Sequence, residues 1–206
     1  MTEAERSVRE RIVLAAIECI EREGVQGVTI RGIAREAGVN SAAISYYFGS
    51  KEALLETAQW QTLREGTSKA LEELDALAAE TGDLRAAVGT LLTHLFQGIA
   101  RYPRITLWHL HRPLVEGEYG GPVAEQWDDF LAGFLARLRP LWKQRSYDEQ
   151  RLDVAQMWSA LLLAGMAPGL YAEFAGVDFR EPEDAARFVE HLLARYLPPG
   201  VPPSGG

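Results

Sequence analysis

Small and polar side chains follow one another between residues 40 and 46, a composition suited to a surface that meets the edges of DNA bases. Asparagine and serine offer hydrogen-bond donors and acceptors there, and alanine methyl groups can contact the methyl group of thymine. The pattern therefore predicts base-edge contacts from six positions: Asn40, Ser41, Ala42, Ala43, Ser45 and Tyr46.

Residues on either side of this segment are suited to phosphate oxygens. Tyr47 and Lys51 follow it directly, and a helix that begins at Lys51 would add the positive potential of its N-terminus. Arg31 is expected to reach a base or a phosphate. Thr29 is the predicted N-cap of the helix that carries Arg31, and it is assigned to the same surface. Two plainer interpretations stay open: Tyr46 as a packed aromatic and Arg31 as a solvated charge.

Three helices are predicted to position these residues. One apolar face runs from Val8 to Ile20, and a second short helix is predicted from Ile30 to Ala37. Gly38 supplies the left-handed turn that ends it, and a third helix follows over about Ser41 to Tyr47. Two short helices joined by such a turn predict a helix-turn-helix unit, whose second helix can enter the major groove.

The block from Thr29 to Leu55, TIRGIAREAGVNSAAISYYFGSKEALL, resembles the DNA-binding region of the TetR family of bacterial repressors. The stretch from Tyr46 to Leu54 is its most specific part, and Ser45 departs from the tyrosine that the family often has there. The resemblance implies nine or ten helices, a homodimer, a palindromic operator in double-stranded DNA, and a C-terminal domain whose ligand releases DNA.

Helical signals also dominate the rest of the chain, so the fold class predicted is all-α: a three-helix DNA-binding domain followed by a helical bundle. The predicted domains are residues 1–52 for DNA binding and 53–197 for ligand binding and dimerisation. A proline- and glycine-rich tail, 198–206, is expected to be disordered. A capping box at Ser146 predicts a long apolar helix that runs to about Phe174.

Composition and charge exclude several other classes. Hydrophobic residues make up 47% of the 206 residues, as in ordinary globular domains, and the single cysteine excludes an internal disulfide. Residues 1–51 are electrically neutral, so the whole net charge of −8 lies after Lys51. No apolar run is long enough to span a bilayer, and no secretory signal is evident, which predicts a cytoplasmic protein without a membrane partner.

Catalytic and cofactor signatures are lacking, so no enzyme activity and no cofactor are expected. His109 and His111 would point to different faces of a helix, which argues against a metal site. The region is instead dense in aromatic residues, which in a bundle form either core or an apolar ligand cavity. The candidate effector-binding residues are Phe96, Trp108, Phe130, Trp158 and Met166.

Dimerisation is expected because one short recognition helix contacts too few base pairs for high specificity. The resemblance to the TetR family implies that the last two long helices form the interface. The candidate interface residues are Leu152, Ala155, Leu162 and Gly165. Burial of these residues within one subunit is the alternative.

The sequence thus predicts a ligand-responsive transcriptional repressor that a small apolar or amphipathic effector releases from its operator. The alternatives are an activator or an effector-independent DNA-binding protein and, from other classes, a protein-interaction adaptor or an enzyme.

Overall fold

The structure, a computed structural model, describes residues 3–198, and in this range all regular secondary structure is helical. The all-α prediction is confirmed, and the predicted tail lies outside the described residues from residue 199 onward. None of the helices in this range has the length and apolarity that a membrane crossing requires. The α-helices are α1 Glu3–Glu23, α2 Ile30–Ala37, α3 Ser41–Phe48, α4 Lys51–Thr81, α5 Leu84–Arg101, α6 Pro103–His109, α7 Pro122–Leu138, α8 Tyr147–Met166, α9 Pro168–Ala175 and α10 Pro182–Tyr196.

The described chain divides into two compact units. The first contains the residues up to Glu65 together with Arg104–Tyr119, and the second contains Gly66–Pro103 and the residues from Gly120 onward. Helix α4 contributes to both units, and α6 belongs to the first. The boundary predicted at residue 52 lies inside this continuous helix.

In the first unit, side-chain caps and one glycine build the helix-turn-helix. The Oγ1 of Thr29 accepts a hydrogen bond from the backbone N–H of Gly32 at 3.0 Å, which caps α2. Helix α2 ends at Gly38, whose φ of 66° is left-handed and therefore suits glycine. Ile33 on α2 and Ile44 on α3 are fully buried, so both short helices are held by packing.

Helix α6 is attached to α1 by reciprocal capping within the first unit. A carboxylate oxygen of Glu21 accepts hydrogen bonds from the backbone N–H groups of Arg104 and Ile105, each at 3.1 Å. In return, the Arg104 guanidinium donates to the backbone oxygens of Glu21 and Arg22 at the C-terminus of α1. Each side chain thereby satisfies backbone groups that the other helix leaves unpaired.

The other end of α6 is attached to α4 through His109. Its Nε2 lies 3.1 Å from the backbone oxygen of Gln59 and 2.8 Å from the Thr62 hydroxyl. Because a carbonyl only accepts, Nε2 carries the proton in the neutral ring. Burial lowers the pKa of His109 from 6.5 to about 4, so the imidazole is neutral at pH 7.

This buried histidine predicts a stability loss in mild acid. Between pH 6.5 and pH 4 the unfolded chain binds a proton at His109 that the folded chain excludes, so the free energy of unfolding falls as the pH falls. We expect the wild type to lose about 2 kcal/mol more than His109→Gln between pH 7 and pH 4.5, measured by urea denaturation. Equal losses in both proteins would contradict a neutral buried His109.

In the second unit, α5, α8 and α10 share an apolar core with α7. The capping box at Ser146 is present and begins the long apolar helix as predicted. That helix stops at Met166, however, and the prediction that it runs to about Phe174 was wrong. Pro168 has no N–H to donate and disfavours helical backbone at Ala167, so the chain turns there and starts α9.

Candidate DNA-binding site

Helix α3 carries five of the six residues that the sequence predicted for base contact, and three of the five are exposed. Tyr46 is 76% exposed, and its ring meets that of Tyr47 edge to face at 5.0 Å. Ala42 and Ser45 are also exposed, whereas Ser41 and Ala43 are half-buried. Ile44 faces the core, so one side of α3 is packed and the other is open to a partner.

Helix α4 begins beside this surface with a cap of its own. The Ser50 hydroxyl accepts a hydrogen bond from the backbone N–H of Ala53 at 3.0 Å, and Lys51 is the first residue of the helix. A lysine at a helix N-terminus combines a full positive charge with free backbone N–H groups, the arrangement that binds phosphate.

The two predicted residues on and before α2 have different surroundings. Arg31 is exposed in the first turn of α2, as a contact to DNA requires. Thr29 is also exposed, but its hydroxyl is engaged in capping α2. Its expected part in the DNA surface is therefore to orient the helix that carries Arg31.

Arg9 is a candidate that sequence reasoning missed. Its guanidinium lies over the ring of Phe48, 5.0 Å from the ring centre, and so places a positive charge at the C-terminal end of α3. Phe48 is half-buried under this arginine. Nothing in the local pattern of α1 distinguishes Arg9 from its other arginines, because its position depends on the packing of α1 beside α3.

Asn40 is both a candidate base contact and the N-cap of α3. Its Oδ1 accepts from the backbone N–H of Ala43 at 2.8 Å, and its amide nitrogen remains as the group for a base. Asn40→Ala is expected to cost about 1 kcal/mol of unfolding free energy through the lost cap. Any change in base preference in that variant is therefore mixed with a change in folding.

Asn40→Asp separates the two roles because aspartate caps helices as well as asparagine does but cannot donate from its carboxylate. We expect wild-type stability in urea denaturation and altered base preference in selections from random DNA. Unchanged preference would refute the base contact, and a wild-type midpoint for Asn40→Ala would refute the cap.

Comparison with known proteins identifies the family. Residues 12–58 match the family model described as bacterial regulatory proteins, tetR family. The HTH-type transcriptional regulator BetI 2 of Chromohalobacter salexigens is 30% identical over 91% of this chain and 89% of its own length. The chain belongs to the TetR family. Its helix-turn-helix is accordingly the DNA-binding element of a transcriptional regulator, and BetI 2 is likewise a regulator and not an enzyme.

Other TetR-family proteins match over different extents. The chain spans about half the length of BetI from Stenotrophomonas maltophilia: the match covers 56% of that protein, at 33% identity. A putative TetR-family regulator from Mesorhizobium loti has the same fold with a TM-score of 0.67, 18% identity and coverage of 96% of this chain and 100% of its own. FadR of Thermus thermophilus, a TetR-family repressor solved with lauroyl-CoA, has a TM-score of 0.55, 24% identity and the same coverage.

TetR-family regulators also bind small-molecule effectors, and the structure brings together two of the five residues predicted for this role. Phe130 and Trp158 meet edge to face at 4.9 Å in the second unit. Phe96 packs against Phe179 and Phe188 instead. Trp108 lies on α6 in the first unit, stacked on its neighbour His109. Met166 is half-buried at the last position of α8.

The four residues predicted for the dimer interface lie on different faces of α8. Leu152 and Ala155 are exposed and line a groove of about 670 Å³ between α7 and α8. Leu162 is half-buried. Gly165 is buried against α5, where a Cβ atom would lie 2.5 Å from the Cγ2 of Ile99.

Proposed function

We propose that this TetR-family regulator is a repressor that binds a palindromic operator as a homodimer and leaves it when a small apolar molecule occupies the second unit. The observation that carries the DNA-binding half is the open face of α3 with its exposed Tyr46, followed by Lys51 at the start of α4. Operator binding to chromosomal DNA would place the protein in the cytoplasm.

The homodimer follows from the size of the recognition surface. Helix α3 has eight residues, so one copy reads only a few base pairs, and a two-fold pair doubles the contacts. The exposed face of α8 supports this pairing, because Leu152 is 61% exposed and Leu163 is 51% exposed on one stripe with Ala155. Sedimentation equilibrium tests the dimer directly.

The proposed effector acts by preferring one conformation. A ligand shifts an equilibrium only by its difference in affinity for the two states, so the effector must bind the DNA-free conformation more tightly. The aromatic side chains of the second unit favour an apolar molecule, and FadR of Thermus thermophilus shows an acyl-CoA in a protein of this fold.

The first experiment titrates the protein onto labelled DNA taken from beside its own gene, with scrambled competitor DNA and several salt concentrations. Competitor-resistant binding that weakens with salt supports a specific regulator. Release by an added small molecule supports a repressor, and tighter binding supports an activator. Failure against a random-sequence DNA pool as well would overturn DNA binding in favour of an adaptor or an enzyme.

A further inference from the structure

Two tryptophans of the second unit carry buried polar groups that nothing satisfies. Within residues 3–198, the indole Nε1 atoms of Trp127 on α7 and Trp158 on α8 are both buried and have no hydrogen-bond partner. Trp158 is only 5% exposed. Buried indole N–H groups usually have an acceptor, so two without one in the same region is a departure that calls for a reason.

The two indoles belong to one aromatic cluster. Their ring centres are 6.1 Å apart at 67°, and both rings meet Phe130 edge to face, at 5.9 Å and 4.9 Å. Phe134 stacks on Phe130 and also meets Trp158. The two indoles that carry the unpaired donors are therefore neighbours in one aromatic cluster.

Trp142 of the same unit shows the ordinary arrangement. It is buried to the same degree as Trp158, and its Nε1 donates to the backbone oxygen of Tyr196 at 2.7 Å. The described part of the fold thus provides a hydrogen-bond acceptor for Trp142 but none for Trp127 and Trp158, whose rings meet.

The chemistry of the cluster defines the kind of ligand group that would pair with the two indole donors. An indole N–H only donates, so the complementary group must be a hydrogen-bond acceptor. The four side chains of the cluster are uncharged, so a buried anion would lack a compensating charge, and a simple cation could not accept from the indole N–H groups. Flat aromatic faces favour an apolar body, while a neutral oxygen such as a ketone, ester or amide carbonyl satisfies the donors.

We propose that Trp127 and Trp158 form the polar contact of the effector site and select neutral apolar molecules that carry a carbonyl oxygen. This inference rests on the proposed function, in which the second unit binds an effector. It adds that the effector carries a hydrogen-bond acceptor for these two indole groups.

The test uses acetophenone, a neutral aromatic ketone, and ethylbenzene, which has a similar shape without the oxygen. The full-length protein is labelled with ¹⁵N-tryptophan, and the indole signals are assigned with tryptophan-to-phenylalanine variants. Acetophenone is expected to move the Trp127 and Trp158 indole protons downfield and leave Trp142 unmoved. Ethylbenzene is expected not to produce the downfield shift.

Trp158→Phe removes the N–H and keeps an aromatic ring. Its affinity for acetophenone is expected to fall about tenfold, as for one lost neutral hydrogen bond, while its affinity for ethylbenzene stays the same. The proposal is overturned if both probes shift the two signals equally or if neither does. It is also overturned if cross-relaxation shows a bound water on both indole protons of the ligand-free protein.

Titration of the same samples onto operator DNA distinguishes failure of the tryptophan site from failure of the proposed function. Intact DNA binding together with no response to acetophenone overturns only the tryptophan site. Absence of sequence-specific DNA binding by the wild-type protein would overturn the proposed function itself.

Discussion

Replacing Lys51 by alanine is expected to weaken binding to every double-stranded DNA about 100-fold, independent of sequence. One charge-assisted contact to phosphate accounts for about tenfold, and the proposed dimer loses two. Each lost contact lowers the dependence of log affinity on log salt by about 0.9, so the slope falls by about 2. Filter binding or fluorescence anisotropy across a salt series measures both quantities.

Stability does not complicate this result. Lys51 is the first residue of α4, where the helix dipole disfavours a positive charge, so its removal does not weaken the helix. Lys51→Arg keeps the charge and should keep the slope. Lys143→Ala, at an exposed site in the second unit, changes the net charge equally and should leave the slope unchanged. A matching loss in Lys143→Ala would refute a phosphate contact specific to Lys51.

Replacing Gly165 by alanine is expected to lower the free energy of unfolding by about 1–3 kcal/mol, the usual cost of overpacking. The added Cβ would lie 2.5 Å from Cγ2 and 2.9 Å from Cβ of Ile99. Because Ile99 is β-branched and lies in a helix, its side chain has almost no other rotamer available. Helices α5 and α8 must therefore separate, and urea denaturation reports the cost.

Gly98→Ala is the matched control because Gly98 also lies within a helix but a Cβ there would meet nothing within 4 Å. That variant should gain up to about 1 kcal/mol from the better helix propensity of alanine. Sedimentation of folded Gly165→Ala should show the same oligomeric state as the wild type. A variant that keeps wild-type stability but dissociates would instead place Gly165 at the subunit interface.

Local signals explain why the helix-turn-helix could be predicted closely. Thr29 and Asn40 cap the helices that they precede, and Gly38 has the left-handed backbone expected of it. Lys51 begins α4 as predicted. Each of these features depends on residues within one helical turn, so the sequence contains all the information that they require.

Long-range contacts explain what the sequence did not reveal. Glu21 and Arg104 lie 83 residues apart, and no local pattern shows that they cap each other's helices. The same is true of Arg9 over Phe48. The break at Pro168 had a local signal in the proline itself, but the predicted helix to about Phe174 ran through it.

The sequence by itself determined the all-α class, the helix-turn-helix and the resemblance to the TetR family, because helix periodicity, caps and turn glycines act over a few residues. Only the tertiary structure decided that α6 belongs with the DNA-binding helices, that Gly165 packs against Ile99, and that Trp127 and Trp158 share one cluster. These outcomes depend on which helix faces meet, and that is fixed by the packing of side chains distant in the chain.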